Sequence, residues 1–358
     1  MAGRHPREPS QMATFRVPSR RRWSGRPQAI SYPCHGRDIR ATVPHMPDVF
    51  PPLPADWPFA PTTPFTFGQA MTAGVSRSRL RTMVDRGAVR RLIASVYVAA
   101  PTRDSLALRL QALSLVVPPD AVVTDESAGW LHGAGMVLAP GRPGDVPPVT
   151  IFQRTKGLRL RNGVCASGER HLAARDIELI GPLRVTTPLR TACDLGRLRH
   201  ADHAIAALDQ LLRLGRFCHE ELIHELPCYK GFRGIVQLRH LAPLADPRAE
   251  SPPESALRMR WLSAGLPCPE PQWEVRGPRG QSWWLDLAAP EFRYAAEYDG
   301  AKFHSTDEDS GHDEARRGWL TEHEGWSFTV VRRANLYGQH QDCVELMRRD
   351  FLRHVGRA

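Results

Sequence analysis

Residues 283–304 read Trp-Trp-Leu-Asp-Leu-Ala-Ala-Pro-Glu-Phe-Arg-Tyr-Ala-Ala-Glu-Tyr-Asp-Gly-Ala-Lys-Phe-His, and this stretch decides the fold of the carboxy-terminal third. Aromatic and branched residues alternate with others on both sides of Ala289-Pro290-Glu291, which predicts two short strands joined by a turn. In the first strand Trp283, Leu285 and Leu287 share one face and leave Asp286 on the other. In the second, Phe292, Tyr294, Ala296 and Tyr298 form an apolar face, so Glu297 and Asp299 project together opposite it. Gly300 breaks this strand, and His304 lies just beyond. Clustered carboxylates raise one another's pKa unless a proton or cation intervenes. The pattern therefore predicts a hard-metal site and, with it, a metal-dependent DNA endonuclease core. A strand carrying two solvated acids is the plainer alternative.

Working outward, residues 249–253 form a Pro-containing boundary, and a helix is predicted from Glu254 to Ala264 with Leu257, Trp261 and Ala264 on one stripe. Glu254 falls on that buried stripe, an odd place for a carboxylate unless something there needs charge. It is equally the third position of a capping box opened by Ser251. Strands are predicted at Trp273–Val275 and Trp326–Val331, a loop at His304–His312, and helices from Asp313 to Glu324 and along Val344, Met347, Phe351 and Val355. The order α-β-β-β-α-β-α, with acids on the central strands, is the layout of the restriction-endonuclease-like PD-(D/E)XK core.

Glu254-Ser-Ala-Leu-Arg, Ala264-Gly-Leu-Pro, Asp286-Leu-Ala-Ala-Pro, Glu297-Tyr-Asp-Gly-Ala-Lys-Phe-His304, Asp313-Glu-Ala-Arg316 and Gly325-Trp-Ser-Phe-Thr-Val-Val-Arg332 resemble the DUF559 family, related to very-short-patch repair endonucleases. The resemblance implies that Asp286 holds Mg²⁺ (or Mn²⁺), with Glu297 and Asp299 as further ligands or water-orienting groups. By the same resemblance His304 is the general base or leaving-group acid, and Glu254 reaches the metal through water. The lysine expected two residues after Glu297 is Asp299 here, which leaves Lys302 as a stand-in. Arg316, Arg317 and Arg332 are candidate contacts to flanking phosphates, or ordinary surface charges.

Toward the amino end, Thr66 and Gln69 form a capping box before a short helix that ends at Gly74, and Ser76 caps a second helix over Arg77–Arg86. Leu80, Met83 and Val84 make one face of the second helix, and Arg77, Arg79, Arg81 and Arg86 the other. Val89–Val98 reads as a hairpin. Helix, turn, helix and hairpin is the plan of a winged helix able to enter a major groove; a small packing domain with solubilising arginines is the alternative. Gly74-Val-Ser-Arg-Ser-Arg-Leu and Arg86-Gly-Ala-Val-Arg-Arg-Leu-Ile-Ala-Ser-Val-Tyr-Val resemble the amino-terminal domain of AbiEi-type antitoxins of type IV toxin-antitoxin systems.

Between residues 101 and 248 the pattern is mixed α+β. Helices are predicted at Leu106–Val116, after Thr124, after Thr187-Pro188, and at Ala204–Leu214; strands at Val149–Gln153 and Leu158–Cys165, the latter interrupted by Asn162-Gly163. Glu126-Ser-Ala-Gly-Trp-Leu-His-Gly, Arg184-Val-Thr-Thr-Pro-Leu-Arg-Thr-Ala-Cys-Asp-Leu-Gly-Arg and Ala207-Leu-Asp-Gln-Leu-Leu-Arg-Leu-Gly are similar to the body of AbiEi-type antitoxins. That resemblance implies a non-catalytic antitoxin or transcriptional autoregulator with a neighbouring nucleotidyltransferase toxin. His132 and Asp194 read as core and capping residues rather than ligands.

The whole is a multidomain α/β and α+β chain of 358 residues: an unstructured Arg/Pro-rich tail over 1–60, a winged helix over 61–100, an antitoxin-like region over 101–248 and an endonuclease-like domain over 249–358. The tail is a basic DNA-touching arm or an over-extended gene start, with Met46 then the initiator. The net charge of +10 is uneven: residues 1–45 hold nine Arg against Glu8 and Asp38, while residues 250–358 hold 14 basic and 18 acidic groups. Attraction to DNA phosphates is thus expected from outside the carboxy-terminal segment. With no apolar run of membrane-spanning length, no secretory leader and seven scattered cysteines without a CxxC pair, a reduced, cytoplasmic protein is expected.

Overall fold

Among the described residues of the computed structural model, three sheets of three, five and four strands are interleaved with helices in a mixed α/β arrangement. The structure describes residues 50–135, 149–153, 165–168, 170–300, 307–337 and 341–356.

The first sheet gathers β1 (Phe65–Thr66), β2 (Val89–Ile93) and β3 (Val96–Ala99) in the order β1-β3-β2, around α1 (Phe67–Thr72) and α2 (Arg77–Asp85). The capping box closes as its spacing requires, with Gln69 N–H on Thr66 Oγ1 at 3.1 Å and Thr66 N–H on Gln69 Oε1 at 2.8 Å. Residues 50–60 depart from the expected tail. Leu53, Trp57 and Phe59 pack against the core of Phe65, Ala70, Leu80 and Val89, and the Phe59 ring stacks on Phe65 at 4.0 Å. Proline richness signals a lack of regular structure, but three bulky side chains give this segment enough apolar surface to dock.

The five-stranded sheet has the order β6-β5-β4-β8-β7, from β4 (Ala121–Val123), β5 (Val149–Gln153), β6 (Cys165–Gly168), β7 (Ile177–Ile180) and β8 (Leu183–Thr186). Helices α3 (Leu106–Ser114) and α4 (Asp125–His132) help cover it, with Ala112, Leu113, Ala128, Leu131, Ile151 and Val185 in one core. The expected Asn162-Gly163 turn lies outside the described residues. A helical layer follows: α5 (Pro188–Leu198), α6 (Ala201–Arg213), α7 (His219–Glu225) and α8 (Ile235–Leu241). Thr187 caps α5 through the Arg190 amide at 3.3 Å. Gly234 precedes α8 at φ +80°, and a Cβ there would lie 1.8 Å from the Arg197 carbonyl oxygen, so only glycine permits this approach.

The last sheet is β12-β11-β10-β9, from β9 (Glu270–Arg276), β10 (Ser282–Ala289), β11 (Tyr294–Asp299) and β12 (Ser327–Arg332), the β11–β12 pair being parallel. It is flanked by α9 (Pro252–Ser263), α10 (Asp307–Glu324), α11 (Arg333–Tyr337) and α12 (Cys343–Val355). Two sequence expectations change here. Trp283 and Leu285 pack with Leu320 and Trp319 of α10, whereas Leu287 packs with Trp261 of α9, so β10 switches faces at Asp286 instead of alternating through it. The irregularity sits beside Gln272 of β9, at φ +51°, where the β9–β10 register omits the Asp286 pair. Phe292 belongs to a 3₁₀ turn and not to the second strand, because Arg293 turns the chain at φ +46° before β11 starts. The predicted loop at 304–312 is in part helical, since α10 begins at Asp307.

Candidate functional site

Three polar constellations stand out, one in each part of the chain. The first is the arginine face of α2. Ser76 accepts the Arg79 amide at 3.2 Å and starts the helix. Arg77, Arg81, Arg86 and Arg91 are exposed. Arg79, a DNA contact expected from the sequence, bonds Asp56 at 2.6 Å and lies over the Trp57 ring of the docked segment before β1. Arg77 stacks over Phe67 at 5.3 Å, and Arg81 makes a loose 3.6 Å pair with Asp85. Arg77 and Arg81, one turn apart, remain on the solvent side.

The second constellation is buried in the middle region. Asp194, at 1% exposure, takes Arg170 at 2.7 Å, Arg190 at 2.9 Å and Arg197 at 2.7 Å. Arg190 also bonds Asp176 at 2.6 Å, and Arg170 bonds Asp125 at 2.8 Å. Burial alone would push the Asp194 carboxyl up; the guanidiniums of Arg170, Arg190 and Arg197 outweigh it and hold the group below its ordinary value. Arg190 and Arg197 also lie over the Tyr229 ring. The network ties α4, α5 and the segment before β7 together. Asp194 is thus the hub of a buried ion-pair network and not the capping residue expected from the sequence. Its legible signal was the spacing Arg190-x-x-x-Asp194-x-x-Arg197, which sets all three on one helical face. His132 is likewise internal, its Nε2 2.7 Å from the Thr186 carbonyl oxygen.

The third is the acidic cluster of the last sheet. The β10–β11 ladder covers Leu287–Ala289 against Tyr294–Ala296, and just past it the Asp286 carboxylate accepts the Tyr298 amide at 2.8 Å. Burial, then the charge of nearby Glu254, pushes Asp286 up to about 8; Glu297 adds to this and Arg316 opposes it. Glu254 is also raised, first by burial. Glu254 accepts Ser251 Oγ–H at 2.7 Å, the Glu250 amide at 2.9 Å and Gln272 Nε2–H at 2.9 Å; the capping box expected from the sequence is half formed, since Ser251 Oγ accepts the Glu254 amide but the Glu254 carboxylate takes the Glu250 amide in place of that of Ser251.

Glu297, 5% exposed, is held by Arg316 through both oxygens at 2.9 Å and by Arg317 at 3.2 Å. Arg316 is therefore turned to an internal carboxylate and to the Trp284 carbonyl, and not to an outer phosphate path. Exposed Arg332 sits 3.6 Å from Asp299 at the strand end. Lys302 and His304 lie outside the described residues. Among the described residues no group of three or more His, Cys, Asp or Glu is placed to hold a metal ion.

The cluster has a pH consequence. The folded Asp286 carboxyl binds its proton up to about 8, whereas unfolded Asp releases it near 3.8. Its contribution to stability is thus complete below pH ~4 and declines as pH rises through 8. Between pH 7 and 8 the expected loss is up to about 1.4 kcal/mol per pH unit. Denaturant unfolding from pH 7 to 9 checks this, and Asp286→Asn, which keeps an acceptor for the Tyr298 amide, should flatten the slope.

Residues 120–244, the five-stranded sheet and the helical layer with the Asp194 network, match the AbiEi antitoxin C-terminal domain family. The uncharacterized proteins MT2308 and Rv2248 of Mycobacterium tuberculosis are each 33% identical over 257 residues, spanning 72% of this chain and 90% of theirs. The chain belongs to one family with these two mycobacterial proteins. The crystal structure of RV2827C protein from Mycobacterium tuberculosis aligns over 60% of this chain and 84% of that one, at 15% identity and a TM-score of 0.25, too low to carry a fold argument. Among the described residues no helix is long and apolar enough to cross a membrane.

Proposed function

We propose that this chain is the antitoxin-type regulator of a toxin–antitoxin pair, which binds DNA near its own gene and answers a cognate nucleotidyltransferase toxin. The match of residues 120–244 to the AbiEi antitoxin C-terminal domain carries the reading. Support comes from the amino-terminal unit: α1, a turn, α2 and the β2–β3 hairpin follow the winged-helix plan. Arg77 and Arg81 are its candidate DNA contacts, as helix-borne cations able to meet phosphates along a groove.

A second reading keeps residues 249–358 as a PD-(D/E)XK endonuclease-like domain. The observation favouring it is the mutual repulsion of Asp286 and Glu254 beside the end of a strand ladder, where Mg²⁺ or Mn²⁺ could replace the retained proton. Glu254's oxygens are already hydrogen-bonded, and Glu297 would have to give up Arg316 and Arg317 to join in.

One experiment separates the two. The chain is footprinted on duplex DNA from upstream of its own gene, with Mg²⁺ present. The regulator reading expects protected, uncut DNA. With Arg77→Ala and Arg81→Ala together, binding should weaken and the slope of log affinity against log salt should fall by about 2. Unchanged binding in that variant sinks the assignment of these arginines. Nicking that Asp286→Asn abolishes supports the second reading instead.

A further inference from the structure

We propose that the groove between α2 and the β2–β3 hairpin is a binding site for a small amphipathic organic anion, an aromatic or aliphatic carboxylate. The groove has a volume of about 610 Å³, within the range of roughly 300–1,000 Å³ that small-molecule pockets occupy. Its floor is apolar, built from Phe67, Leu80, Val84 and Tyr97. Its rim carries Arg77, Arg81 and Arg91, with Asp85 as an acidic counterweight.

The rim is electrostatically unfinished. Among the described residues Arg77 and Arg91 have no carboxylate partner, and the exposed Arg81–Asp85 pair at 3.6 Å is a weak one. Stacking on Phe67 fixes the Arg77 guanidinium without using an N–H donor, so its fork stays available to a carboxylate. An apolar floor below such a rim fits one kind of occupant: an apolar body with a single anionic head. A sugar-phosphate backbone would leave the floor wet. Because Arg77 and Arg81 are also the proposed DNA contacts, an occupied groove would compete with DNA; that consequence rests on the regulator reading, whereas the site itself does not.

The test uses the full chain and 8-anilinonaphthalene-1-sulfonate, an aromatic anion that fluoresces on entering apolar surroundings. Saturable binding of one probe per chain is expected. Arg81→Glu should weaken it roughly tenfold, one attraction being exchanged for a repulsion. Val84→Trp, which fills the floor, should abolish it, and neutral N-phenyl-1-naphthylamine should bind more weakly than the anion. Equal binding to wild type and to Arg81→Glu, or no saturation, overturns the site; Arg81→Glu is a surface change and keeps the test valid should Val84→Trp misfold. Octanoate should displace the probe, and its failure to do so also counts against the site. Failure of promoter DNA to bind the chain sinks the regulator reading and leaves the probe result to stand alone.

Discussion

Asp194→Ala is expected to destabilise the middle region by about 3–5 kcal/mol. The substitution takes a shared carboxylate from three guanidiniums whose side chains are 11%, 7% and 6% exposed, on Arg170, Arg190 and Arg197. Arg170 and Arg190 keep Asp125 and Asp176, but Arg197 loses its carboxylate and keeps the Arg233 carbonyl at 3.1 Å and the faces of Tyr229 and Phe232. Removing one side of a buried ion pair costs about 3–5 kcal/mol, and here one carboxylate serves three cations. Domains of this kind hold only about 5–15 kcal/mol in total. Asp194→Asn keeps the shape and part of the hydrogen bonding, so it should fall between the two. Urea unfolding followed by tryptophan fluorescence and circular dichroism measures this. A midpoint for Asp194→Ala within experimental scatter of wild type would show that the arginines find other partners.

The second large effect is expected at Arg258. This α9 residue bonds Asp209 of α6 at 2.7 Å and also donates to the Leu244 carbonyl. Asp209 is 0% exposed, and burial pushes it up to about 6 even with Arg258 and the Asp246 amide beside it. Arg258→Ala leaves that carboxylate buried and unmatched, at about 3–5 kcal/mol. The deficit should shrink on acidification from pH 7 to 5, because the folded state then takes up the proton that Asp209 needs. Asp209→Leu with Arg258→Met should recover most of the loss, since a packed apolar pair avoids desolvation and also removes the unpartnered Arg258 Nε. A double variant as unstable as Arg258→Ala would mean that the packing of α6 on α9, and not charge, is at fault.

Local chemistry was well written in the sequence. Thr66 with Gln69, Ser76, Thr187, and Ser251 with Glu254 announced helix starts, and each accepts the amide expected of it. The pairing of Tyr294, Ala296 and Tyr298 on one face of β11 followed from strict alternation. What escaped depends on partners distant in sequence. The face switch at Asp286 is set by Gln272 on the neighbouring strand, and no period-two pattern encodes it. Glu297 looked like a ligand because Arg316 and Arg317 lie 19 and 20 residues further on. Arg170 reaches Asp194 from 24 residues before it, so only the helical half of that network could be read.

Helix α9 packs on α6 through Arg258 and Arg260, whose partners are Asp209 and Asp202, while its Leu257 and Trp261 fill the core under the last sheet. It is a party wall: neither neighbour owns it, and neither is weatherproof without it. A gene shortened to end before residue 252 would therefore leave α6 with bare acids and an uncovered flank. Loss or exchange of the carboxy-terminal part during evolution would demand simultaneous repair at Asp202 and Asp209, which favours inheritance of the two parts as one piece.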